Sequence, residues 1–278
     1  MNPSPDRPTC TIAFIGAGNM AAALIGGLIA KGASAESIRA VDPSPEQRAA
    51  IGARFGIATH ERPDAAALDT DVVVLAVKPQ QMREAIGAIA PSINRQLIVS
   101  VAAGVRAIDL SRWLGGYRRI IRTMPNTPAL VGLGATGLAE LPGCSDQDRA
   151  MAESIMAAVG QTVWVDDEGK LDAVTALSGS GPAYVFRFIE SMIEGGVKLG
   201  LNVEQSRLLA LQTVLGAAQL ASTASESPSI LRERVTSKGG TTAAALAVFE
   251  SLDLPGMVAQ AMAAADRRSG ELGDEFGK

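Results

Sequence analysis

The segment Gly16-Ala17-Gly18-Asn19-Met20-Ala21 has the GxGxxA form with which a backbone cradles a pyrophosphate. It follows a short apolar run, Thr11 to Ile15, and opens a helical stretch. In that setting Gly16 makes the tight turn, Gly18 admits close approach, and Ala21 lets the helix lie against the strand. The bound anion would face the unpaired amides and the dipole at the helix start. Asp42 closes a second predicted strand, where a carboxylate accepts from the adenosine ribose 2′-OH and repels a 2′-phosphate, which favours NADH. Ser44 and Arg48 follow directly and could donate to that phosphate, so NADPH stays open. Ala76-Val77-Lys78-Pro79 follows another apolar run, at a strand end where open sheets bind ligands. Lys78 is thereby a candidate cofactor neighbour, and Pro79 fixes the turn.

A second cradle is written in Thr236-Ser237-Lys238-Gly239-Gly240-Thr241-Thr242. Successive amides from Gly239 to Thr242, with hydroxyls at Ser237, Thr241 and Thr242, form a concave donor array suited to a carboxylate. Helix capping alone would need one hydroxyl. The stretch from Thr175 to Tyr184 is another small-residue loop leading into a predicted helix.

Composition narrows the chemistry further. The chain has 278 residues, 29 of them glycine, with one histidine, two cysteines and a net charge of −4. One histidine cannot furnish a multi-histidine metal site, and Cys10 and Cys144 lack the paired spacing of structural zinc, so no metal is expected. The acidic balance argues against a nucleic-acid partner. Two isolated thiols point to a reducing compartment, the cytoplasm. The uncharged stretch from Pro8 to Ala30 mimics an export signal, but Asn19 and four glycines break it, and no membrane association is expected. His60 is expected to be structural rather than catalytic.

The elements that must position these cradles alternate. Strands are predicted at 11–15, 37–42, 71–77, 97–101 and 119–124, with helices at 19–31, 45–55 and 81–90. That alternation implies a doubly wound parallel sheet of the Rossmann type. From Lys170 onward only helical spacing remains, with helices at 182–199, 203–224, 228–235, 242–251 and 256–272. The expected organisation is a loose tail at 1–8, a dinucleotide-binding domain at 9–166 and an all-α domain at 167–278. Small residues at 195, 196 and 216 to 218 suggest close helix packing, and the polar end GELGDEFGK is expected to fray.

Taken in order, GAGNMA at 16–21, AVKPQ at 76–80, RTMPNTPALVGLG at 122–134, LSGSGPAY at 177–184 and VTSKGGTTAAAL at 235–246 make the chain resemble pyrroline-5-carboxylate reductases over nearly its whole length. The resemblance implies reduction of Δ1-pyrroline-5-carboxylate to L-proline by NADH or NADPH, the last step of proline biosynthesis. It implies that Val235 and the 237–242 segment bind the substrate, with the Thr242 hydroxyl near the ring nitrogen. Asn126 and its loop would approach the nicotinamide. The helical half would dimerise, as a homodimer or a ring of dimers. Lys238 departs from members that have proline there, and Asp42 from those that carry a small polar residue. The alternatives are a related imine reductase, a β-hydroxyacid dehydrogenase-like enzyme, and a non-catalytic NAD(P)-binding scaffold. Against the dehydrogenase, the residues after Gly181 are Pro182-Ala183-Tyr184-Val185-Phe186, with no catalytic lysine.

Overall fold

The computed structural model describes residues 10–278, so the expected tail at 1–8 lies outside the described residues. The chain divides into two compact units, one reaching to Ser180 and including Ala264–Lys278, the other Gly181–Ala263.

The first unit is an eight-stranded sheet in the order β3-β2-β1-β4-β5-β6-β7-β8. The strands are β1 Ile12–Ile15, β2 Ile38–Val41, β3 Ala58–His60, β4 Val72–Leu75, β5 Leu97–Ser100, β6 Ile120–Met124, β7 Gly134–Glu140 and β8 Gly160–Trp164. Around it run α1 Asn19–Ala30, α2 Pro45–Phe55, α3 Ala65–Leu68, α4 Met82–Ile89, α5 Ala107–Trp113, α6 Asp146–Met156 and α7 Lys170–Val174. Apolar runs such as Val72–Leu75 form strands because both faces are covered. Ile12, Phe14, Val72 and Val74 join one core with residues of α1, α2 and α6, while Ala13, Ile15, Val73 and Leu75 join the other with α4 and α5.

All neighbouring strands are parallel except β6 and β7. The connection between those two is a 3₁₀ turn, Thr127–Val131, ended by Gly132 at φ +74°, too short for a parallel crossover. The expected parallel sheet is therefore parallel with one antiparallel pair. Strands β3, β7 and β8 lie beyond those predicted. Gly137, which breaks the apolar pattern of β7, is a packing requirement: a Cβ there would stand 2.8 Å from Val174 of α7.

The second unit holds α8 Gly181–Lys198, α9 Val203–Thr223, α10 Pro228–Arg234, α11 Thr241–Ser251 and the start of α12, Leu254–Phe276. Helices α8 and α9 approach closely at Gly196, where a Cβ would come within 2.8 Å of the Ser206 hydroxyl. At Gly195 and Gly216, by contrast, a Cβ would meet nothing within 4 Å.

The compact division differs from the expected 9–166 and 167–278. Leu171 of α7 is fully buried in the sheet unit, and the Ser269 hydroxyl donates to Asp172 at 2.6 Å. Nor does the chain end fray. Residues 270–276 complete α12, Asp274 pairs with Arg106 at 2.8 Å, and Phe276 packs on the second sheet core. Its polar composition is that of a helix with one apolar stripe and the rest facing water.

Candidate active site

The glycine turn lies at the C-terminal edge of the sheet between β1 and β4, where strand order reverses and open sheets bind ligands. Gly16 adopts φ +99°, and a Cβ on it would sit 2.7 Å from the Ala76 carbonyl oxygen, so only glycine fits. Its amide donates to the Val41 carbonyl at 2.8 Å, tying the turn to β2. Gly18 is the N-cap of α1, and no side chain caps that helix. A Cβ on Gly18 would meet no atom within 4 Å. Open space thus fronts the amides of Asn19 and Met20 at a positive helix end, which suits a pyrophosphate.

Asp42 holds this turn. The Ala17 N–H donates to its Oδ2 at 2.8 Å and the Ser44 N–H to its Oδ1 at 2.9 Å. Gly16, Asp42, Ser44 and Val77 line one cavity of about 470 Å³. Ala76 backs the turn, Pro79 begins a 3₁₀ turn, and Lys78 is exposed at its N-cap. The same cavity takes in Glu61, Pro63 and Glu84, which sequence reasoning missed. Glu61 and Pro63 enter because β3 is a strand, too short at three residues to declare itself by alternation. His60 ends β3, and its carbonyl accepts from the Asp42 amide at 3.1 Å. It therefore supports the cavity wall through its backbone.

Asn126 is buried, and its side chain is a bracket. Its Nδ2 donates to the Ser178 carbonyl at 3.0 Å, and its Oδ1 accepts from the Ala135 amide at 2.9 Å. It ties the loop after β6 to β7 and to a π-helical turn at Thr175–Gly179. The Thr175 and Ser178 hydroxyls turn back to the carbonyls of Leu171 and Val174. Gly179 lies under the end of the Met124 side chain, where a Cβ would come within 2.6 Å of its terminal methyl. π-turns recur at functional sites, and this one holds the LSGSG segment against the sheet.

In the second unit, residues 235–240 form one turn between α10 and α11, whose first two residues are Thr241 and Thr242. Val235 is the exposed C-cap of α10. Gly239 adopts φ +72°, and the Gly240 amide closes on the Ser237 carbonyl at 3.0 Å. Gly240 is then the N-cap of α11, and no side-chain hydroxyl caps that helix. Helices α2, α3, α6, α9 and α10 all carry a side-chain cap, and α5 receives one from Glu168, which accepts from the Ala107 amide. The hydroxyls of Ser237, Thr241 and Thr242 are thus not occupied in capping. The amides they surround stay available to an anion. Among the described residues, no group of three His, Cys, Asp or Glu is placed to hold a metal ion.

A family model described as pyrroline-5-carboxylate reductase dimerisation matches residues 168–272, and one described as coenzyme F420-dependent NADP oxidoreductase matches residues 11–104. The pyrroline-5-carboxylate reductase of Pseudomonas aeruginosa is 50% identical over 271 residues, covering 97% of this chain and 99% of that protein. The chain belongs to the pyrroline-5-carboxylate reductase family. Among solved structures, the family member from Coxiella burnetii superposes with a TM-score of 0.91 at 42% identity, covering 95% of this chain and 98% of that one. The Plasmodium falciparum member, solved with NADP bound, gives 0.83 at 30% identity, covering 96% and 99%. Family membership over the whole length does not favour the dehydrogenase-like and non-catalytic alternatives.

Proposed function

We propose that the chain reduces Δ1-pyrroline-5-carboxylate to L-proline with a reduced nicotinamide dinucleotide. The observation that carries this reading is the uncapped Gly239–Thr242 turn at the start of α11, in a chain that matches named pyrroline-5-carboxylate reductases end to end. In it, the amides from Gly239 to Thr242 and the Ser237 and Thr241 hydroxyls hold the substrate carboxylate, beside Val235. The Thr242 hydroxyl orients the ring nitrogen. Gly16 to Met20 hold the pyrophosphate, and Asp42 and Ser44 stand at the adenosine ribose, with Ala76 to Pro79 closing the far side. Asn126 acts as a positioning residue, fixing the loop after β6 and the 175–179 turn.

The bound nicotinamide supplies the hydride. A cyclic imine that arrives protonated on nitrogen is already electrophilic, so this chain's residues need to hold and orient it rather than donate a proton. Orientation alone can contribute about 7–11 kcal/mol to such a step. This explains how a chain with one histidine, occupied in the wall of β3, can be an enzyme.

The same reading makes the second unit a subunit interface, in a homodimer or a ring of dimers, and places the enzyme in the cytoplasm, where Cys10 and Cys144 stay free thiols. Consumption of NADH or NADPH on addition of pyrroline-5-carboxylate, with one proline formed per cofactor oxidised, is the expected result. Folded protein that oxidises neither cofactor would overturn it.

A further inference from the structure

The cavity beside the glycine turn carries a charge pattern that sorts the two nicotinamide cofactors. Its charged lining residues are Asp42, Glu61 and Glu84, and no lysine or arginine lines it. Two residues near Asp42 had the chemistry to receive a 2′-phosphate, and both already have protein partners. Arg48 donates through Nη1 to the carbonyls of Asp42 at 2.8 Å and Pro43 at 2.9 Å, while its Nη2 faces Glu61 at 3.9 Å. The Ser44 hydroxyl donates to Glu46 at 2.7 Å and accepts from the Gln47 amide at 3.2 Å as the cap of α2. Glu61 also faces Arg62, at 3.8 Å.

Asp42, in contrast, keeps acceptor capacity. Each of its oxygens takes one backbone N–H, and a carboxylate offers about four lone-pair sites. Two remain for ribose hydroxyls. A 2′-phosphate would bring a charge of about −1.5 to −2 against these carboxylates. We propose that this pocket selects NADH over NADPH, with Asp42 and Glu61 as the specificity-determining residues. The inference rests on the reading of the cavity as the adenosine end of a nicotinamide site.

The test is equilibrium titration of the full-length protein with NADH and with NADPH, followed by nicotinamide fluorescence, alongside kcat/KM for each. NADH is expected to bind about tenfold tighter, the effect of a close like-charge contact in a mostly aqueous setting. Asp42→Asn should weaken NADH and narrow or invert that ratio. Because that change also touches the glycine turn, Glu61→Gln serves as the second variant. It removes a charge that makes no hydrogen bond to the turn, releases Arg48 and Arg62, and should shift the NADPH-to-NADH affinity ratio toward NADPH by about threefold or more. Wild-type protein that binds NADPH as tightly as NADH or more tightly, or a Glu61→Gln variant with an unaltered ratio, overturns the selectivity and leaves the site standing. Failure of the wild type to bind either cofactor overturns the reading of the site itself.

Discussion

Thr242 offers the proposed substrate nitrogen a neutral hydroxyl, which can orient a ring but adds little to its electrophilicity. Thr242→Ala is therefore expected to lower kcat by about tenfold to a hundredfold, the scale of a reacting group held loosely. Cofactor affinity, measured by nicotinamide fluorescence, should stay within about twofold, because Thr242 belongs to α11 and the glycine turn to β1 and α1. Thr242→Ser should recover most of the turnover. An equal loss of cofactor affinity would place Thr242 at the cofactor rather than at the substrate nitrogen. Much at this scale was legible, since Gly16, Gly18 and Asp42 declare themselves by type and position. Asn126 did not. Its side-chain partners, Ser178 and Ala135, are 52 and 9 positions away, and nothing in its neighbours' sequence announces a bracket.

Among the elements, α6 shows how the sheet's antiparallel side is fixed. Asp148 is nearly fully buried and pairs with Arg119, just before β6, at 2.5 Å, while accepting from the amide and hydroxyl of Ser145 at the helix cap. Burial alone would raise its carboxyl, but the Arg119 and Ser145 hydrogen bonds outweigh that and hold it below the ordinary 3.8. A carboxyl lowered by folding contributes stability that is complete above its unfolded value and lost as the pH falls through the folded one. Urea midpoints should hold through neutral pH and decline below about pH 4. Asp148→Asn should cost about 2 kcal/mol at pH 7, less than a fully buried pair because Arg119 is partly exposed, and should flatten that decline. An unchanged acid slope would show that Asp148 does not set it. The strands predicted from their apolar runs were β1, β2, β4, β5 and β6. Strand β7 was hidden because Gly134 and Gly137 interrupt it to admit Ala129 and Val174. The close packing that the strand needs erases the pattern by which strands are read.

At the scale of the whole molecule, the second unit leaves much apolar surface uncovered by its own chain. Phe186 is 60% exposed, and Phe188, Leu208, Leu209 and Leu215 are exposed with it. Apolar exposure of this extent marks an interaction surface, and the match of residues 168–272 to a dimerisation model says what kind. Sedimentation velocity should find a dimer or a multiple of one. Phe186→Glu combined with Phe188→Glu should dissociate it and abolish turnover while cofactor still binds. A wild-type monomer with full activity would contradict this. The helical half was readable from spacing alone, whereas the return of residues 264–278 to the sheet unit was not, because Asp172, Arg106 and the partners they hold on α12 lie far apart in sequence. Delivery of a hydride from nicotinamide to a cyclic imine is measured with cofactor deuterated at the reactive position of the nicotinamide ring. Direct hydride transfer yields proline carrying one deuterium on the ring carbon formerly doubly bonded to nitrogen; proline without the label, or no proline from folded, cofactor-binding protein, would show that no such transfer occurs.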